Sequence, residues 1–87
     1  MPYIEQELRN KIDMGAVRPC SPGELNYAFS NIISQYLLDM GLKYDTINDI
    51  LGALEGAKLE FYRRIAVPYE EQKMIIQGDV YKLGLLL

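Results

Sequence analysis

The tetrapeptide Ser21-Pro22-Gly23-Glu24, followed by apolar residues at helical spacing and closed by Gly41, restricts this chain more than any other feature. Serine at the N-cap, proline at the first helical position and glutamate three residues after the cap together specify a helix start. Leu25, Ala28, Phe29, Ile32, Ile33, Tyr36, Leu37 and Met40 then fall on one face, and a glycine just past them is a natural stop. A short link, Leu42-Lys43-Tyr44, leads to a second start, with Asp45 or Thr46 as cap and Asn48 or Asp49 in the first turn. Ile47, Ile50, Leu54, Ala57 and Phe61 alternate steps of three and four, the period of a packed helix seam, and Leu51 and Ile65 widen it. A short link between two long helices makes them antiparallel neighbours.

The flanks complete this reading. Ile4, Leu8 and Ile12 recur every four residues, which predicts a short amphipathic helix over residues 3–13 that ends at Gly15. Pro68 ends or kinks the second long helix, residues 69–76 can resume it, and Gly78-Asp79 is a turn signal. The last residues include Leu83, Leu85, Leu86 and Leu87, an apolar tail that needs a cover. The expected fold is therefore all-α: an antiparallel helical hairpin of two long helices with a short N-terminal helix and an apolar C-terminal tail, in one domain over residues 1–87. A short β-hairpin around Gly78 is the minor alternative.

At 87 residues the core is small, and chains of this size often rely on a disulfide, a metal or self-association. One cysteine, Cys20, allows no internal disulfide, and without histidine it makes no zinc site. Self-association is thus the expected support. Gly52 and Gly56 lie four apart inside the second long helix, each costing about 1 kcal/mol relative to alanine. With Ala53 and Ala57 they form a strip that a helix can approach closely, and Ser30 and Ser34 are small enough to face it. A net charge of −3 argues against general nucleic-acid binding. No stretch reaches the apolar length of a membrane span and the N-terminus has no signal core, so a cytoplasmic location is expected.

Chemistry concentrates on the second long helix, at Glu55, Lys58, Glu60, Tyr62, Arg63, Arg64 and Tyr69. One reading is an anion site, in which Arg63, Arg64 and Lys58 take a phosphate while Tyr62 and Tyr69 stack or donate a hydroxyl. The other is a solvated face, because Glu60 stands three before Arg63 and four before Arg64, an ordinary helical ion pair. The first long helix carries Asn26, Tyr27, Ser30, Asn31, Ser34 and Gln35, polar but nearly uncharged. These residues read either as a subunit interface or as a polar network inside the fold. Cys20 has no histidine to activate it. Asp45 with Asp49 is explained by helix capping, and Glu70 with Glu71 by the turn after Pro68. No phosphate-binding glycine loop, nucleophile elbow or HExxH pattern is present, so no motif proposes an enzyme, a metal or a cofactor.

Several blocks occur in order: Met1-Pro2-Tyr3-Ile4, Gly23-Glu24-Leu25-Asn26-Tyr27, Gly52-Ala53-Leu54-Glu55, Glu60-Phe61-Tyr62-Arg63-Arg64, Pro68-Tyr69-Glu70 and Gly78-Asp79-Val80-Tyr81. Through them, residues 1–81 resemble a family of small uncharacterised proteins found in bacteriophages and bacterial genomes. Gly56 departs from that pattern, where alanine or cysteine is expected. The resemblance implies a phage or prophage setting and no catalytic activity. It marks Asn26, Tyr27, Glu60, Tyr62, Arg63, Arg64, Tyr69 and Glu70 as family-typical polar positions. The expected function is a non-catalytic, homo-oligomeric binding module that sequesters a small anionic, nucleotide-like ligand. The alternative is an adaptor or inhibitor that binds a host or phage enzyme through tyrosines and the apolar tail.

Overall fold

The computed structural model describes residues 3–82 and 84, and every regular element among them is helical. The elements are α1 (Gln6–Asp13), α2 (Pro22–Met40), α3 (Tyr44–Phe61), a π-helical turn (Tyr62–Ala66) and α4 (Val67–Gln77). The described residues form two compact units, divided between Ile50 and Leu51 within α3. The tail residues Leu83 and Leu85–Leu87, like Met1 and Pro2, lie outside the described residues.

In the first unit the local signals act as their chemistry dictates. α1 begins at Gln6, a turn later than the periodicity suggests, because no side chain caps Glu5. It ends in a Schellman motif: the Ala16 N–H reaches the Lys11 carbonyl, the Gly15 N–H reaches the Ile12 carbonyl, and Gly15 takes φ 72°. At the start of α2 the Ser21 hydroxyl accepts the Glu24 N–H at 3.1 Å, with Pro22 in the first turn. Glu24 reaches back to the Cys20 N–H at 3.2 Å, one residue before the partner an ordinary capping box uses. α2 ends at Gly41, whose φ 88° and ψ 154° only glycine adopts readily.

α1 packs on α2. Arg9 donates its Nε to the Ile4 carbonyl at 2.8 Å and lies 5.8 Å from the centre of the Tyr27 ring. Tyr27 Oη donates to the Asp13 carboxylate, 2.6 and 2.8 Å from its two oxygens. α3 begins at Tyr44, so Asp45 and Thr46 sit inside its first turn and neither is the cap. Within this unit one side-chain bond ties α3 to α2, Tyr36 Oη donating to Asp49 at 3.2 Å, without close backbone packing of the two helices.

The second unit is helix, turn and helix in succession. Pro68 breaks the α-helical pattern as expected, by a route the residue alone does not specify. In an α-helix its ring would press on the carbonyl four residues back, that of Arg64, and its missing N–H would leave that carbonyl unpaired. The backbone widens instead: the Val67 N–H reaches past Arg63 to the Tyr62 carbonyl, a step of five residues. α4 then carries Pro68 in its first turn, where the missing N–H costs nothing, and stops at Gly78 (φ 90°). The Asp79 carboxylate accepts the Tyr81 N–H at 2.9 Å, a local turn in place of the β-hairpin alternative.

Among the described residues no apolar side chain is buried, and Thr46, 2% exposed, is the one buried residue. The apolar faces of α2 and α3 form as their periods require, yet Phe29, Ile32, Leu51 and Phe61 remain exposed on them.

Candidate functional site

The cationic cluster lies in the second unit, where α3 passes into the π-turn. Glu60, in the last turn of α3, holds both arginines. Its Oε1 accepts from Arg63 Nη2 at 2.5 Å, and its Oε2 lies 3.9 Å from Arg64 Nη1. Lys58 is taken up by Glu55, 3.6 Å away. All of these side chains are exposed, so each pair contributes roughly 0–1 kcal/mol and exchanges readily for another anion.

The π-turn decides which of the expected ligand residues meet. Gly56, Leu59, Glu60, Tyr62, Arg63 and Val67 line an open groove of ≈ 630 Å³. Tyr62 and Arg63 are therefore both in its lining, with Gly56 adding no side chain to fill it. Arg64, Lys58 and Tyr69 do not line it. Tyr69 instead faces Lys73, whose ammonium lies 5.6 Å from the ring centre. What the arrangement offers is an exposed guanidinium beside an aromatic ring over an apolar floor, with a carboxylate already in the guanidinium's grasp.

The residues expected at an interface behave differently from one another. Ser30 Oγ donates to the Asn26 carbonyl at 3.0 Å and Ser34 Oγ to the Ser30 carbonyl at 2.9 Å, so their own helix satisfies both hydroxyls. That leaves a smooth, small-residue surface. Tyr27 serves within the chain, fastening α1. Its pKa is raised, first by the bond to Asp13, then by desolvation and by that carboxylate's charge. Tyr36 is also raised, by desolvation first and by its bond to Asp49 second. A side-chain carbon added at Gly52 or Gly56 meets nothing within 4 Å, so the strip is open along its length.

Among the features that spacing alone does not specify are the π-turn, the Tyr27–Asp13 clasp and the Glu24–Cys20 bond. Pro68 signalled the first and the capping-box spacing of Glu24 the last, one residue off its usual partner; the clasp left none. Cys20 is exposed and its thiol donates to the Arg18 carbonyl at 3.2 Å. Among the described residues no three His, Cys, Asp or Glu side chains gather as metal ligands would, and no helix is long and apolar enough to cross a membrane.

Residues 1–80 match a domain of unknown function, DUF6899. The chain belongs to that family. Neither a curated protein nor a solved structure matches it. The DUF6899 match takes in both units and thus the capping box, the π-turn and the arginine cluster alike.

Proposed function

We propose that this DUF6899 chain is a non-catalytic binding module that works as a homo-oligomer. One observation carries the reading: no described apolar residue is buried, while whole helix faces of them stand exposed. Fixing a backbone costs roughly 1–2 kcal/mol per residue, and apolar burial is the main term that offsets it. A chain that buries so little alone needs an external surface, and a second copy is one always present. The side-by-side packing expected of α2 and α3 we assign to contacts between copies, where the smooth Ser30–Ser34 surface and the open Gly52–Gly56 strip suit close approach. A phage or prophage setting and a cytoplasmic location belong to the same reading.

The ligand is a small anion of nucleotide type. Arg63 and Tyr62 both line the groove, and the weak pair with Glu60 yields to a phosphate. Light scattering on a dilution series tests the assembly, with an oligomer expected at micromolar concentration and a monomer overturning it. Titration with ATP and with inorganic pyrophosphate tests the site. Arg63→Ala should lose binding with helicity unchanged, and unchanged affinity in that variant would remove the anion from the proposal.

A second reading, an adaptor for a host or phage enzyme, is favoured by Tyr44 and Tyr81, which are 84% and 74% exposed. Tyrosines so placed are typical of protein interfaces. Ending the chain after Tyr81 should then abolish partner binding and spare the anion.

A further inference from the structure

We infer that the α3–π–α4 segment of the second unit pairs with the same segment of a second copy, antiparallel, with the two-fold axis beside the π-turn. The inference rests on the self-association proposed above and adds to it a contact on a different face from the Gly52–Gly56 strip.

The first support is the register of the apolar row. On a regular α-helix, at 100° per residue, Tyr69 would lie about 80° around from Phe61. The π-turn takes one extra residue into its turn, Val67 bonding to Tyr62. With that residue absorbed, Tyr69 returns to within about 20° of Phe61. Leu54, Ala57, Phe61, Ile65 and Tyr69 then form one row across the break, and all but Ala57 are large side chains left exposed. Arg63, two residues and about 200° on from Phe61, lies on the opposite face, so an anion site and a pairing face fit on the same segment.

The second support is charge. Along the flanks of that row the signs read minus, plus, minus before the axis (Glu55, Lys58, Glu60) and plus, minus, plus after it (Arg64, Glu70, Lys73). A parallel, in-register copy would set like against like. A reversed copy centred near Arg63 sets Glu60 against Arg64, Lys58 against Glu70 and Glu55 against Lys73. The row agrees: Phe61 meets Ile65, and the small Ala57 meets the large Tyr69. Opposite charges and matched sizes both select the reversed second copy as the occupant.

The test is double electron–electron resonance on the full chain carrying Cys20→Ser, with one spin label at a time at Tyr62→Cys or Gln77→Cys. Antiparallel pairing gives a short distance at residue 62 and about 40 Å at residue 77, at 1.5 Å per residue on each chain. Equal short distances at both in a dimer would overturn the inference and leave self-association standing. No inter-chain signal, with a monomeric mass, would overturn both. An independent check swaps charges. Lys58→Glu and Glu70→Lys should each weaken the dimer at least several-fold, and the double variant should restore it. The two residues are about 18 Å apart along one chain and cannot rescue each other within it. A double variant as weak as the worse single one would also overturn the pairing.

Discussion

The two units of this chain hold their shape by different means. In the first, side chains distant in sequence meet: Tyr27 with Asp13, Tyr36 with Asp49, Arg9 with the Tyr27 ring. In the second, the described side-chain bonds and ion pairs join residues two to four apart in sequence. Local pairs of that kind are worth about 0.2–0.5 kcal/mol each and do not hold up an isolated helix. The difference teaches where outside help is needed. The first unit carries some tertiary structure of its own, whereas the second presents an apolar row that its described residues leave exposed.

The largest effect should separate the units by concentration dependence. Phe61→Asp places a charge in the row of the second unit, and truncating a buried phenylalanine alone costs about 3–5 kcal/mol. Sedimentation should show the dimer weakened over a hundredfold, roughly 1.4 kcal/mol being tenfold. An unaltered association constant would mean that this row is not the interface. Next comes Gly41→Ala in the first unit. Nothing crowds an added carbon there, so the cost is backbone strain alone, about 1–3 kcal/mol at a φ of 88°. Thermal melts should show that loss equally at low and high protein concentration. Ser21→Ala should cost about 1 kcal/mol by the same measurement, because the Glu24 N–H loses its acceptor.

How much of this was legible follows from the range of each interaction. The Ser21 cap, Gly15, Gly41 and Gly78 were readable because their chemistry is complete within a few residues. The Glu60–Arg63–Arg64 fork was readable for the same reason. Pro68 announced a break, but whether a helix answers with an end, a kink or a wider turn depends on what the next bond can reach. The Tyr27–Asp13 clasp spans 14 residues and needs α1 folded back on α2, which no spacing rule encodes. Period shows that α3 has an apolar face. It does not say what covers that face, a helix of the same chain or one of a second copy.

A smaller effect sharpens the contrast by pH. The raised pKa of Tyr27 means that folding favours its neutral, donating form. Its contribution is fully present below the ordinary value of 10.0 and is lost as pH climbs through the raised value, where a phenolate would face a carboxylate. The protection of α1 amides, relative to their intrinsic exchange rates, should therefore fall in that alkaline window while that of α4 holds, and Tyr27→Phe should remove the transition. The smallest effect is that of Glu60→Gln, expected within about 1 kcal/mol in stability. It frees both guanidiniums, so pyrophosphate affinity should rise.

The exposed apolar faces also bear on gene dosage. If burial comes only when two copies meet, the amount of folded dimer rises with the square of the chain's abundance while the chain is scarce. A sparse product would stay open to proteolysis, and a burst of synthesis would switch on a lasting population. Such a chain would act as a threshold device, set by how fast it is made.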